Sequence, residues 1–158
     1  MGYTLVFRAM AFDDFREHVA ANPVVAAFRD AGGGEPTQQV ADTVASAALN
    51  MGVEVGSTGH SVAGGEWFRE EIFEGLLGGL LGTELADHLL SRALEDTVWN
   101  DYPMVGWVLN AELHEGLAKV GDYQASHLDE DEAEVVEEVL TALRAAAEMG
   151  LDLVTVYG

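Results

Sequence analysis

The sequence predicts an α+β fold: a small sheet, including paired N- and C-terminal strands, covered by several helices. Three observations carry this. Tyr3 to Met10 and Leu151 to Tyr157, at opposite ends, are rich in aromatic and β-branched residues. Between them lie stretches with apolar residues at helical spacing. No repeat or long linker divides the 158 residues, so residues 1–158 form one domain long enough to bury a core.

The elements follow in order. Tyr3 to Met10 is the first strand. Asp13 is placed to cap a short helix, with Phe12 as a hydrophobic staple before it. Asn22 caps the next, Pro23 takes its first position, and Val24, Val25 and Phe28 face inward. Gly32-Gly33-Gly34 ends it. Pro36 to Met51 is a third helix, with Val40, Val44, Ala47 and Met51 as its stripe. Gly52 to Gly65 reads as the longest loop, because glycines and serines interrupt it. Helices are expected from Glu66 to Leu81 and from Thr83 to Leu94. Glycines 75, 78, 79 and 82 between them predict a close-packed face. Asp101 to Leu109 is a turn and a short buried strand. Asn110 caps a helix that Gly121 closes. Asp129 with Glu132 makes an acidic capping box for the last helix, whose inward residues are Ala133, Val136, Val139, Leu140, Leu143 and Ala147. Gly150 terminates it.

Composition limits function more sharply than it defines it. The chain has 28 Asp plus Glu against 7 Lys plus Arg, a formal charge of -21. Such self-repulsion opposes compaction unless counterions screen it. The expectation is a halophilic, cytoplasmic protein with an acidic, hydrated surface. Its hydrophobic content of 49% argues against acidic disorder. The absence of cysteine excludes disulfides, thiolate metal sites and a thiol nucleophile. The opening residues lack the pattern of a signal peptide, and Gly75 to Gly82 is too short to span a bilayer. Without a basic stripe, a field this negative repels nucleic-acid phosphates.

Several segments resemble a known group. They are the Met1-Gly2-Tyr3 start, Gly64-Gly65-Glu66-Trp67-Phe68-Arg69, and Asp101-Tyr102-Pro103-x-x-Gly106-Trp107 leading to Glu112. The ending, Ala145-Ala146-Ala147-x-x-Gly150-x-Asp152-Leu153-Val154-x-Val156-Tyr157, belongs with them. Together they resemble an uncharacterised bacterial and archaeal family, distantly similar to the YfbM-like small cytosolic proteins; the acidity fits a haloarchaeal member. The resemblance implies the fold and carries no activity. An immunity-type role enters only as family-level analogy.

The best candidate site runs from His60 to Arg69. His60 can act as a base, Ser57 or Ser61 as a nucleophile, Glu66 as an orienter and Arg69 as an anion clamp. The plainer reading is a surface loop whose serines and Glu66 cap a helix. For Arg69 the plainer reading is a structural pair with Asp101 or Glu112. Asp101, Tyr102 and Trp107 form a second candidate cluster, either a ligand wall or a core turn in which Asp101 bonds backbone. Glu84 with His88, and Glu112 with Glu115, have ligand-like spacing but complete no metal motif, and no cofactor is implied.

The leading expectation is a non-catalytic interaction module with an unknown protein partner. The alternatives are a small-molecule binder or hydrolase using His60 to Arg69, and a homodimer through the glycine-laced Leu76 to Leu81 face. A binder or enzyme requires His60, Arg69 and the Asp101–Trp107 turn to converge in a cleft.

Overall fold

The computed structural model describes residues 2–121, 123 and 125–158, without the side chain of Ala125. Met1 of the Met-Gly start lies outside the described residues. The elements are β1 (Gly2–Met10), α1 (Phe12–Ala21), α2 (Pro23–Asp30), α3 (Gln38–Asn50) and β2 (Val53–Ser61). A 3-10 turn (Val62–Gly64) and a π-helix (Trp67–Leu77) follow, then α4 (Gly78–Leu81), α5 (Thr83–Leu90), β3 (Met104–Val108) and α6 (Asn110–Val120). A 3-10 turn (Ala125–His127), α7 (Glu130–Glu148) and β4 (Asp152–Tyr157) complete the chain.

The fold is α+β. Four antiparallel strands lie in the order β2-β1-β4-β3. The terminal strands pair at the centre, with Leu5 opposite Tyr157 and Met10 opposite Asp152. Strand alternation sends Leu153 and Tyr157 into one core, and Val154 and Val156 into the other. The first core joins Leu5 and Phe7 to the π-helix and α4–α7. The second joins Phe15, Val25, Val40 and Val44 of α1–α3 to Val105. Helices therefore cover both faces, which explains why β4 is buried along most of its length. The one polar side chain in the middle of β4, Thr155, donates from Oγ1 to the Leu89 carbonyl at 2.8 Å.

Several local expectations are corrected. Residues 52–65 are not a loop, since Val53 to Ser61 form edge strand β2 against β1. Their glycines suit close contact: a Cβ on Gly59 would lie 2.5 Å from the Tyr3 carbonyl oxygen, and one on Gly56 would lie 3.2 Å from Ala142 Cβ. Asp13 does not cap α1; Asp152 of β4 accepts the Phe12 N–H instead, at 2.8 Å. The second Asp152 oxygen accepts the Asn110 N–H at 2.7 Å, so one carboxylate starts two helices. Asn110 is the first residue of α6 rather than its cap, and its side chain donates to the Leu151 carbonyl. Asp129 precedes α7 without a side-chain cap bond; its carboxyl pairs with that of Glu132 and raises the Glu132 pKa. Asn22 does cap α2, accepting the Val24 N–H at 2.9 Å.

The fourth expected helix winds differently. Phe68, Ile72, Phe73 and Leu77 are its buried residues. Spacings of four and five keep them together only on a helix wider than α, with bonds from i to i+5. The helix expected to reach Leu94 stops at Leu90. The glycine-laced face is close-packed only in part: a Cβ on Gly78 would lie 3.4 Å from Thr83 Cγ2 of α5, one on Gly79 would meet nothing within 4 Å, and Gly82 makes a turn at φ +98°. Leu77 and Leu81 lie in the chain's own core, while Leu76 and Leu80 are only partly buried against it. The tight helix contact is at Gly116 of α6, which abuts Leu85.

Candidate functional site

The face of the sheet under the π-helix ends in a cluster of hydroxyls and rings. Tyr3 lies opposite His60, and Leu5 lies opposite both Thr58 and Tyr157. Strand alternation therefore puts Tyr3, His60 and Tyr157 on one face at one end of the sheet. The first turn of the π-helix brings Phe68 and Arg69 over them, and the turn before β3 adds Tyr102. The His60 ring lies 5.5 Å from Tyr3 and 4.6 Å from Phe68, centroid to centroid, and Tyr3 lies 4.4 Å from Tyr102.

With a neutral His60 ring, the hydrogen bonds form a chain with one direction. His60 Nδ1 is 2.6 Å from the Ser61 carbonyl oxygen, which only accepts, so Nδ1 carries the proton. In the neutral ring Nε2 then accepts, and the Tyr157 hydroxyl donates to it at 2.6 Å. The Tyr102 hydroxyl is 3.4 Å from that of Tyr157 and donates toward it. Arg69 Nη1 donates to Tyr102 at 2.7 Å. The polarity thus runs from an exposed guanidinium, through two phenols, to a half-buried imidazole.

Electrostatics agree with this direction. Tyr157 is fully buried; burial foremost, then the bond with Tyr102, raises its phenol pKa far above the ordinary value despite the nearby guanidinium. Tyr157 therefore stays protonated and donates. Hydrogen bonding toward Tyr157 raises the Arg69 pKa, against a smaller lowering by burial.

Of the residues predicted from sequence, His60, Arg69 and Tyr102 come together. Asp101 supports them, accepting the Tyr102 N–H at 2.8 Å and shaping the turn. Ser61 contributes its carbonyl, while its hydroxyl caps the 3-10 turn by accepting the Gly64 N–H at 3.2 Å. Glu66 is exposed and makes no cap bond. Trp107 stands apart, stacked on Phe12 at 4.1 Å with Arg92 3.6 Å above its ring. The expected pairing of Arg69 with Asp101 or Glu112 does not form. Glu112 takes Arg92 at 2.9 Å and also accepts the Leu109 N–H. Burial works to raise the Glu112 pKa, but these two bonds outweigh it and hold the carboxyl below its ordinary range.

Tyr157 and Tyr3 are the members that sequence reasoning missed. The signal was the alternation Tyr3-x-Leu5-x-Phe7 and its partner Leu153-x-Thr155-x-Tyr157, which put tyrosines on the core face. Recognising β2 as a strand would have set His60 beside them.

Three hollows among the described residues are walled by other side chains, and Arg69 lies exposed at the surface. Among the described residues, no helix is long and apolar enough to cross a membrane. Neither a protein-family model, nor a curated protein, nor a solved structure matches the chain.

Proposed function

We propose that this chain is a non-catalytic binding module that receives a carboxylate- or phosphate-bearing ligand on Arg69 and Tyr102. One observation carries the reading. In a chain with 28 acidic residues, Arg69 is exposed and makes no ion pair among the described residues; it donates to a phenol instead. A guanidinium held flat by one bond presents its remaining N–H fork to a planar or tetrahedral anion. Tyr157 and His60 stiffen Tyr102 from beneath.

The same bonds disfavour a hydrolase. Both His60 nitrogens are engaged, one by Ser61 carbonyl and one by Tyr157, and the Ser61 hydroxyl accepts a backbone N–H. His60 is therefore not free to serve as the base that activates Ser61. Kinship with an uncharacterised bacterial and archaeal family distantly similar to the YfbM-like proteins, and a cytoplasmic, salt-rich setting, complete the proposal, supported by the short motifs and the charge.

The test is a two-dimensional NMR titration with inorganic phosphate and with citrate. Saturable shifts of the Arg69 Nε–H and Gly65 amide are expected with at least one probe. Arg69→Ala should abolish them while changing stability by less than about 0.5 kcal/mol, since the side chain is exposed. Equal shifts in the variant, or none with either probe, would overturn the assignment.

A further inference from the structure

The two edges of the sheet are finished differently. In an antiparallel ladder, alternate residues turn their backbone groups to opposite sides. Thr4 exchanges both of its backbone bonds with Gly158, so Tyr3 and Leu5 turn theirs toward β2, opposite His60 and Thr58. The N–H and C=O of Ser57 and Gly59 therefore point out of the sheet. On the far edge the outward carbonyls are occupied: Val105 accepts the Arg92 N–H at 3.0 Å, and Trp107 accepts Arg92 Nη1 at 3.2 Å. Among the described residues, no backbone bond from outside the sheet reaches Ser57 or Gly59, and both are exposed. Strand β2 also lacks the usual guards of an edge. It is nine residues long, holds neither lysine nor proline, and its bulge lies opposite Phe7 and Arg8, away from Ser57 to Ser61. A hollow of about 560 Å³ opens beside Ser57 and Gly59 and is bounded on its other side by α7.

We propose that this edge takes a fifth strand, an extended basic segment of another protein running antiparallel to β2. Charge selects the occupant. Asp131, Glu134 and Glu138 wall the hollow, no basic side chain lines it, and the whole chain carries -21. A second copy would bring the same charge to the same edge and be repelled, whereas a cationic segment is drawn in. Pairing then fixes the pattern of that segment. A Cβ on Gly56 would lie 3.2 Å from Ala142 Cβ, so Gly56 and Thr58 share the face of β2 that α7 covers. Residues directly opposite one another share a face. Basic side chains at every second position of the incoming strand therefore meet the carboxylates, and half-buried Trp67 gives their stems an apolar wall. The residues between them lie opposite Ser57 and Gly59 and make the backbone bonds. This edge shares no residue with the Arg69 and Tyr102 site, and the inference stands whether or not that site binds anions.

The probe is an acetylated, amidated octapeptide alternating lysine with valine, titrated by calorimetry against the full chain in about 0.5 M KCl to suppress diffuse attraction. One saturable site is expected. N-methylation of the valine nitrogens removes the bonds to β2 at constant charge and should weaken binding at least about tenfold. N-methylation of the lysine nitrogens, which face away from β2, should change affinity less than about twofold. Ser57→Pro blocks the edge but spares the ladder to β1, because the lost N–H points outward. It should bind at least about tenfold more weakly with an unchanged circular dichroism spectrum; should it misfold, the methylated peptides decide alone. Equal affinity of the two methylated peptides overturns the proposal, since the peptide is then a diffuse counterion. So does the absence of a saturable site. If the chain alone sediments as a dimer that Ser57→Pro dissociates, the occupant is a second copy and the proposal fails.

Discussion

Removing the Tyr157 hydroxyl would strand His60 Nε2 beside buried rings without a donor. Tyr157→Phe should therefore cost about 1–3 kcal/mol, read as a lower urea midpoint at unchanged slope. Tyr102→Phe should cost less than Tyr157→Phe, because Tyr102 is only half-buried and water can replace its bonds. Glu95 offers a pH test. Arg16 donates to it at 2.8 Å and Arg29 at 2.9 Å, tying α1 and α2 to the segment before β3. The Arg16 bond foremost, with Arg29 behind it and against burial, holds its pKa below the ordinary value. A lowered carboxyl stabilises the fold fully above its unfolded pKa of about 4.3 and loses that contribution as pH falls through the folded value. The stability gap between wild type and Glu95→Gln should be constant near neutrality and close below about pH 4, as measured by urea unfolding across pH.

Strand β2 shows why an element can be hidden in its own residues. Gly56, Ser57, Gly59 and Ser61 have poor strand propensity and no apolar alternation. Only the backbone of β1 and the overlying α7 make them a strand, and such partners leave no local trace. Asn22-Pro23 at the start of α2 was legible, because that cap bonds a residue two positions away. The caps of α1 and α6 were not, because Asp152, far along the chain, supplies them. The glycines divide in the same way. A Cβ on Gly106 of β3 would run into the His88 carbonyl oxygen and come within 2.5 Å of Thr155 Oγ1. Gly106→Ala should cost more than about 3 kcal/mol or prevent folding, since strand and helix backbone must separate. Gly79→Ala enters open space on a helix and should stabilise by about 0.5–1 kcal/mol. Thermal unfolding of the two variants checks both signs.

A molecule with a formal charge of -21 has to manage repulsion across its whole surface. Its acids have few basic partners, and the ion pairs among the described residues use Arg16, Arg29 and Arg92. Screening should therefore raise the midpoint of thermal unfolding by about 5–15 °C between millimolar and molar KCl. Absence of any shift would mean that bound cations already balance the charge. Charge, the lack of cysteine chemistry, the class of fold and the pairing of the terminal strands were all readable along the chain, because they depend on composition and local patterning. So was the candidate group His60, Arg69 and Tyr102, chosen for its chemistry. The addition of Tyr3 and Tyr157, the exclusion of Trp107, the direction of the hydrogen-bond chain and the hollow beneath α7 depended on register. Register is set by contacts between residues far apart in the chain, as with Leu5 and Tyr157 or Phe12 and Asp152. No window of sequence contains both partners, so packing had to bring them together.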